Sequence, residues 1–571
     1  MRKRSSKLLA VLLAAGMTLS MAACGKEPVA STETKEGTES VATSETPEEK
    51  LYYNETGYPI CDETITIKVG GSVGNSPDWN NTAFVKAVEE RLGIKLECEP
   101  VSTDAWSTQY ATMLATGDMP DLIVNGTIDK SQVNKDGKAG FWLDLSEYLD
   151  IMPNFVALME EYPEWAAYTQ TETGSIYGIN RFTPGYLAGI NTQLYAEKSV
   201  LEGAGVDPDS IKTIDDFYDA LVKVKEAYPD KIPLSFTTDR MPAYRADVIL
   251  RTAFGINYND NSYMLVADDA GKVSLADISD NNRAYMQFIN KLLDDGLLDP
   301  NCFIVSKDEY RANAKEKKYV FMADAGHITK FGSEGETISD YAVFFGFSSE
   351  YTNNEINYVL TSNVLKDARI FVNAKTEYPE AICRLIDYLC TEEGMYLASF
   401  GVEGEHYDIV TDQYGLKSVD TSKYADLTTY QNETEWKYNK VVIDQAFELV
   451  RGFLGTQTET LDDAALQKII ADKAPQEYDA VCMLGIKKVD NVLNAIPALA
   501  YTEEEVTERS TLYTDILNYV KQMKVSFMNG EVDVNDDAAW DAYVKQVEAM
   551  GYERLMKIEQ AAYDRYAAGL K

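Results

Sequence analysis

Apolar and polar residues early in the chain follow the order expected for a parallel α/β sheet. Apolar side chains alternate with polar ones over residues 63–70 and again over 94–97, which predicts two strands. Between them, residues 84–92 carry apolar side chains at helical spacing, and a second helix begins at Asp104. The short apolar run Leu122–Val124 predicts a third strand. Strand, helix, strand, helix, strand is the pattern of parallel strands with covering helices.

The later part of the chain repeats these signals and then becomes helical. Thr213 with Asp216 three residues on predicts the capped start of a helix. Residues 319–322 predict a strand, and residues 323–330 the loop behind it. From about residue 429 the pattern predicts helices to the last residue.

The N-terminus has the layout of an export signal. Basic residues precede an apolar run over residues 8–19, which is too short to span a bilayer. The run ends in SMAACG (20–25), which resembles a bacterial lipobox, although leucine is usual where Met21 stands. The resemblance implies cleavage before Cys24 and attachment of a diacylglycerol there, since two acyl chains give stable anchoring. The alternative is a plain signal peptide with a chance cysteine.

Composition narrows the possible partners and the domain organisation. With 571 residues the chain is expected to form two or more domains. It has 92 acidic and 53 basic residues and a net charge of −39, so its surface repels phosphates and nucleic-acid binding is not expected.

Residues 25–50 are rich in Ser, Thr and Glu, which predicts a solvated tether. The cysteines after Cys24 form no CxxC pair, so we predict mostly free, buried thiols: Cys61, Cys98, Cys302, Cys383, Cys390 and Cys482.

Four segments resemble one known family. The stretch from 368 to 408, ARIFVNAKTEYPEAICRLIDYLCTEEGMYLASFGVEGEHYD, resembles the central signature of bacterial extracellular solute-binding proteins, the cluster that includes maltose-binding proteins. Its ending, EGEHYD, is similar to the LipO-type lipoprotein subgroup. GDMPDLIV (117–124), GSIYGINRF (174–182) and residues 527–566 resemble further segments of the same family.

The resemblance implies a two-lobed periplasmic-binding-protein fold of type II. Each lobe is then a mainly parallel sheet flanked by helices, and the C-terminal region is helical. The expected divisions are a signal peptide (1–23), a lipidated cysteine with a disordered tether (24–60), a first lobe (62–180 with about 361–428) and a second lobe (181–360 with about 429–571).

Enzyme chemistry finds little support in the sequence. The chain has two histidines, His327 and His406, and lacks GxSxG, HExxH and GxxxxGK[ST] motifs. A glycosidase with two carboxylates remains an alternative, because such a pair has no fixed local spacing. The acidic run 533–537 lacks the glycine and the final acid of an EF-hand loop, so it predicts a helix cap before Trp540 and no metal. No cofactor is predicted.

Candidate ligand contacts are aromatic platforms and polar groups that follow strands or lie in family-like motifs. A sugar offers hydroxyls and flat C–H faces, and loops at the carboxyl ends of parallel strands gather the groups that bind them. The candidates are Trp79, Asn80, Asn125, Arg181, Tyr186, His327, Glu403, His406 and Trp436.

Several of these candidates have a purely structural alternative. Trp79 is equally suited to pack beneath its loop, and Asn125 to cap a turn. Arg181 is suited to pair with one of the many carboxylates. His406 is favoured as a structural residue that holds the lobe interface.

The function implied by the resemblance is capture of a solute outside the cell. We expect a monomeric lipoprotein, anchored through Cys24 to the outer face of the bacterial cytoplasmic membrane, that binds a carbohydrate, preferably an oligosaccharide. Its lobes would close by hinge motion, and the permease subunits of an ABC importer would recognise the closed state. The alternatives are a surface sensor or adhesin on the same fold, or a surface glycosidase.

Overall fold

The computed structural model describes residues 52–74, 78–239, 245–257, 264–268, 270–324, 332–333, 335–360, 364–443, 445–450, 452–496 and 499–569. The strands are β1 Ile65–Val73, β2 Ile94–Ser102, β3 Leu122–Val124, β4 Ile128–Asp129, β5 Ile179–Phe182, β6 Leu194–Glu197, β7 Ile232–Leu234, β8 Leu265–Ala267, β9 Val273–Leu275, β10 Tyr319–Met322, β11 Tyr341–Phe344, β12 Asn357–Leu360, β13 Val364–Val372, β14 Asp408–Thr411, β15 Lys417–Asp420 and β16 Asn491–Asn494.

The α-helices precede, link and follow these strands. They are α1 Ala83–Leu92, α2 Thr103–Thr116, α3 Lys130–Lys138, α4 Pro153–Glu161, α5 Pro163–Thr169, α6 Lys198–Gly203, α7 Ile214–Ala227, α8 Ala246–Thr252, α9 Asp280–Asp294, α10 Lys307–Lys315, α11 Pro379–Leu389, α12 Glu392–Phe400, α13 Glu433–Trp436, α14 Asp463–Ala471, α15 Glu477–Ile486, α16 Glu503–Met528, α17 Asp537–Ala549 and α18 Tyr552–Gly569. Among the described residues, none of these helices is long and apolar enough to cross a membrane.

The first sheet has the order β2-β1-β3-β13-β4, and β5 also pairs with β13. β1 is parallel to β2 and β3, whereas β13 is antiparallel to β3, β4 and β5. β13 is therefore the reversed strand of a sheet whose other described strands share one direction. Side chains alternate between its faces, so that Leu122 and Val124 enter one apolar core and Ile123 enters another.

The second sheet has the order β11-β6-β10-β7. β10 is parallel to β7, and β6 is antiparallel to both β10 and β11, so β6 is the reversed strand here. Leu194 and Ala196 face a core of their own, and Tyr195 faces a smaller cluster on the opposite side. The two sheets and their separate cores confirm the predicted two-lobed α/β fold.

The chain passes between the lobes more than once. It leaves the first sheet after β5 and enters the second at β6, and it returns between β12 and β13. Each reversed strand is the first strand after a crossing, because a chain arriving from the neighbouring lobe enters the sheet from the opposite end. A further excursion brings residues 445–450 beside β5, where the Phe182 N–H donates to the Leu449 carbonyl oxygen at 3.1 Å.

The packing of that excursion differs from the predicted boundary. Ile443, Phe447 and Val450 are buried in the core of the first sheet, although residues beyond 428 were expected to belong to the second lobe. The local sequence there predicts only apolar helix-like spacing, and it does not tell which of two cores receives it. The division of the chain into lobes otherwise stays a prediction.

Two further expectations are corrected by the structure. Residues 52–60 were placed in the tether, but they pack on α11: the Tyr52 hydroxyl bonds to Glu380, and Arg384 donates to the Gly57 carbonyl oxygen at 2.8 Å. The C-terminal region, predicted as helical, also contains β16, which pairs in parallel with β12. The predicted capping box at Thr213 and Asp216 is confirmed.

A hairpin bridges the lobes. β14 and β15 rise from the first lobe, where the Tyr424 hydroxyl donates to Asp408 at 2.7 Å. At the tip, Leu416 is buried among side chains of α14 and α15, and the Tyr414 hydroxyl donates to Asp472 at 2.6 Å. α15 in turn packs on β11 of the second sheet. The hairpin therefore adds a contact between the lobes beyond the crossing segments.

Candidate ligand-binding site

The strands of the first sheet that share one direction end on a common polar edge. β1 ends at Val73 and β3 at Val124, and the residue that follows β3 is Asn125. Asn125 is half-buried, and its side chain reaches both neighbouring strands. Its amide Nδ2 donates to the Ser72 carbonyl oxygen at 2.8 Å, and its Oδ1 accepts from Arg369 Nη1 at 2.5 Å. The prediction that Asn125 follows a strand at the sheet edge is met, and its amide organises that edge.

The backbone that follows Asn125 is strained at Thr127 and tightly held. Thr127 has a φ of 46°, in the left-handed region that β-branched residues rarely enter, and Asn125 has a φ of 51°, which asparagine tolerates. Gly126 lies between them with its N–H donating to the Arg369 carbonyl oxygen at 2.9 Å and its own carbonyl accepting from the Trp106 indole. A Cβ on Gly126 would lie 2.3 Å from Phe371 Cε1. Packing thus fixes this turn in a conformation that local propensity does not favour.

Arg369 sits at an irregularity of β13. Ala368 is paired with Asn180 and Ile370 with Ile179, so two steps along β13 oppose one step along β5. Arg369 is therefore the extra residue of a β-bulge, a feature that redirects a side chain and often lies next to functional sites. Its side chain is half-buried and turned toward Asn125.

Two carboxylates share this edge. Asp367 of β13 lies opposite Asp129 of β4 in the antiparallel register. Both raise the pKa of Tyr168 further, although burial of that hydroxyl is the main cause. The edge thus presents amide and guanidinium donors beside carboxylate acceptors, which suits a ligand rich in hydroxyls.

Arg181 is buried and bonds two distant segments of the chain to each other. Its Nη1 donates to Gln445 Oε1 at 2.6 Å, and Glu448 lies 4.0 Å away. These contacts join β5 to the excursion over residues 445–450. They favour the predicted alternative that Arg181 pairs with a carboxylate, and a ligand contact stays a prediction.

Tyr186 lies where the chain first leaves the first lobe. Its side chain is 36% exposed. Burial of the remainder, followed by the charge of Glu459, raises the pKa of its hydroxyl. Glu459 accepts from the Leu187 N–H at 2.8 Å, and burial together with Glu459 raises the pKa of Asp479 to about 6. An exposed tyrosine beside the Glu459 carboxylate at the crossing is compatible with the predicted ligand contact.

Three other candidates serve the packing of the first lobe. Trp79 is buried in the core, and its indole N–H has no hydrogen-bond acceptor among the described residues. The Asn80 amide bonds to both the N–H and the carbonyl oxygen of Cys98. Trp436 is buried against Val441 and Val442. These positions favour structural roles, and their part in ligand binding stays a prediction.

The EGEHY motif lies apart from the edge just described. Glu403 lines a cavity of about 420 Å³ with Arg91, Tyr396 and Tyr407, on the surface formed by α1 and α12. The His406 Nδ1 accepts the Val402 N–H at 3.2 Å, and burial is the main cause that lowers the pKa of the imidazole. The contact favours a structural role for His406 within its own turn, and the expected role at the lobe interface stays a prediction.

The remaining predicted features are His327, the cysteines and the absence of a metal site. His327 lies outside the described residues. The cysteines after Cys24 are free and buried, as predicted. In the described segments, no group of three His, Cys, Asp or Glu side chains is placed to hold a metal ion.

Sequence reasoning missed Arg369, Thr127, Glu459 and Asp479. Arg369 stands within the motif that carries the family resemblance, but the short run 370–372 was interpreted as a plain strand. An arginine at the start of an otherwise buried apolar strand is a signal that could have marked it. Glu459 and Asp479 depend on contacts between distant segments, and the φ of Thr127 is imposed by the packing of the turn; no local pattern encodes either.

Comparison with known proteins tests the predicted family resemblance. Residues 78–294 match the family model described as bacterial extracellular solute-binding protein. The match agrees with the family resemblance that the sequence motifs predict. The fructooligosaccharide ABC transporter substrate-binding protein FusA of Streptococcus pneumoniae is 23% identical over 98% of both chains. Lipoprotein LipO of Bacillus subtilis is 22% identical over 62% of this chain and 70% of its own.

A solved structure agrees with the fold. The human-milk-oligosaccharide (HMO) binding, ABC-transporter-associated solute-binding protein from Bifidobacterium longum infantis superposes with a TM-score of 0.68, at 19% identity, over 88% of this chain and 99% of its own. At that identity the likeness shows the solute-binding-protein fold.

Proposed function

We propose that this protein is the substrate-binding component of an ABC importer and that it captures an oligosaccharide between its two lobes. The observation that carries the proposal is the polar edge of the first sheet, where Asn125, Arg369 and Asp367 gather at the end of strands that face the crossings. The FusA and Bifidobacterium proteins, named for fructo-oligosaccharide and milk-oligosaccharide binding, support this class of ligand.

Capture by two lobes requires a hinge, and the crossings supply it. The segment after β5 joins the lobes, and Glu459 holds this first crossing through the Leu187 N–H. A ligand that contacts both lobes binds the closed form better and shifts the population toward it. The partner permease would then recognise that closed form.

The protein acts outside the cytoplasm, held by a lipid on Cys24 at the outer face of the cytoplasmic membrane. LipO, a lipoprotein of the same family, supports this placement. The protein is a monomer, and its role is binding without turnover of the ligand. Replacing Cys24 with Ala is expected to release the protein from the membrane fraction; retention there would contradict the lipid anchor.

Calorimetry of the purified chain against a panel of oligosaccharides tests the function. We expect saturable binding of at least one oligosaccharide with no release of reducing ends. Binding of peptides alone would contradict the ligand class, and sustained formation of reducing ends would favour a glycosidase. Two permease genes beside this one would favour transport over a sensor or adhesin.

A further inference from the structure

The polar edge of the first lobe concentrates three departures from regular backbone geometry. Asn125 and Thr127 have left-handed φ values, and Arg369 is the extra residue of the β13 bulge. The Gly126 N–H joins the two segments by donating to the Arg369 carbonyl oxygen. Strained positions persist only where surrounding structure imposes them, and they gather where a side chain must be aimed.

These departures together determine the orientation of the Arg369 guanidinium. The bulge turns it away from the regular alternation of β13, and Asn125 Oδ1 accepts its Nη1 at 2.5 Å. Asn125 is held in turn by the Ser72 carbonyl oxygen. A guanidinium presents several N–H donors in a rigid plane, so fixing one of them orients the others.

The neighbouring charges define what such a guanidinium can hold. Asp367 and Asp129 lie opposite each other on the same edge, and the chain as a whole carries a net charge of −39. A carboxylated sugar would be repelled by both aspartates. A neutral sugar would accept hydrogen bonds from the guanidinium through its hydroxyl oxygens and donate its hydroxyl hydrogens to the carboxylates.

We propose that Arg369 is the side chain through which the first lobe binds the ligand, that Asn125 positions it, and that the bound moiety is a neutral saccharide with adjacent hydroxyl groups. This assignment rests on the proposed function and adds to it a specificity-determining residue and a ligand class.

Substitution of Arg369 tests the assignment by calorimetry of the full chain with a short fructo-oligosaccharide. The R369M variant is expected to lose affinity about 10- to 100-fold, because hydrogen bonds from a charged donor are removed. R369K keeps the charge without the paired donors and should lose less. R554M is the matched control, since Arg554 pairs with Glu508 on the protein surface, and its affinity should stay within twofold of the original.

A double-mutant cycle tests the positioning role of Asn125. N125G keeps the left-handed backbone and removes the amide, so we expect an affinity loss of about fivefold in the original chain and no further loss in R369M. N125D, which keeps an acceptor for the guanidinium, should restore part of the affinity. An equal effect of N125G in both backgrounds would overturn the positioning role.

The outcomes separate this assignment from the function on which it rests. R369M and R369K that bind as tightly as the original chain, with unchanged melting temperatures, would overturn the role of Arg369 and leave the function standing. Binding of an oligogalacturonate in preference to the neutral saccharide would overturn the ligand class. Absence of binding to either saccharide by the original chain would count against both.

Discussion

Two regions of the first lobe were predicted to contact ligand, and the structure builds them in opposite ways. At the polar edge, Asn125 bridges two strands and holds Arg369, while the backbone around it is strained. In the EGEHY motif, the His406 ring accepts a hydrogen bond from the Val402 backbone N–H. The backbone N–H of His406 in turn donates to the Val402 carbonyl oxygen at 2.9 Å. The imidazole and backbone of the motif bond to each other, whereas at the edge the Asn125 amide holds the guanidinium of a distant strand.

Under the proposal made above, the recognisable motif and the binding site lie in different places. The EGEHY motif points to the LipO-type subgroup in the sequence, and in the structure its backbone and the His406 imidazole close a turn. The edge carried a weaker sequence signal, a single asparagine after a strand. Contacts that a chain makes with itself are a sound reason for a motif to recur within a family.

The largest expected effects come from two glycines, Gly126 at the edge and Gly401 two residues before the EGEHY motif. G126A forces a Cβ to within 2.3 Å of Phe371 Cε1, and G401A forces one to within 2.3 Å of Val441 Cγ1 at a φ of 88°. We expect each to lower the free energy of unfolding by about 2–4 kcal/mol, measured by chemical denaturation. Saccharide affinity should fall in folded G126A and stay unchanged in folded G401A. Equal affinities would remove the distinction between the regions.

The next effect concerns Lys130, which begins α3 beside the edge. Its side chain is buried and donates to the Gly178 carbonyl oxygen, and burial lowers the pKa of its ammonium to about 7. Between pH 7 and about 10 the unfolded chain binds a proton that the folded chain lacks, so this residue adds stability as the pH rises. The stability of the original chain relative to K130M should therefore increase over that window, by up to about 1 kcal/mol per pH unit. A difference independent of pH would show that Lys130 stays charged in the fold.

The motif should respond to pH in a different window. Burial lowers the pKa of His406 below its ordinary value, so its contribution to stability is complete above about pH 6.5 and is lost as the pH falls through the folded pKa. H406A should cost about 1 kcal/mol at pH 7.5, and H406N, which keeps an acceptor for Val402, should cost less and abolish the acid dependence. Melting temperatures at pH 5 and pH 7.5 check this. A loss of saccharide affinity in H406N would return the motif to the binding site.

The smallest expected effect is that of Glu403. This exposed carboxylate lines the cavity beside Tyr407 and makes a lone backbone bridge with that residue. E403Q should change both saccharide affinity and the unfolding free energy by less than about 0.5 kcal/mol. Calorimetry of E403Q and R369M side by side compares their saccharide affinities directly. A tenfold loss of affinity in E403Q would place the ligand at the EGEHY motif and contradict this account.

Local patterns predicted the elements of the first lobe well. The expected strands at 63–70 and 94–97 are β1 and β2, and the helix over 84–92 is α1 with Gly93 as its left-handed cap. These elements depend on alternation, helical spacing and caps, all of which act within a few residues. The same is true of the box formed by Thr213 and Asp216.

The site could be predicted only in part, because its geometry comes from distant segments. Asn125 was found from its place after a strand, but its partner Arg369 lies 244 positions away along the chain. The bulge that turns Arg369 depends on the register between β13 and β5, and the return of residues 445–450 depends on the core of the first sheet. Neither register nor choice of core is encoded in local periodicity.

A crystal structure of the protein with a fructo-oligosaccharide would test the central claim most directly. The account predicts the saccharide between the two sheets, with Arg369 donating to its hydroxyl oxygens and Asn125 still bonded to the guanidinium. A saccharide seated instead in the cavity beside Glu403 and Tyr407, with Arg369 untouched, would contradict it.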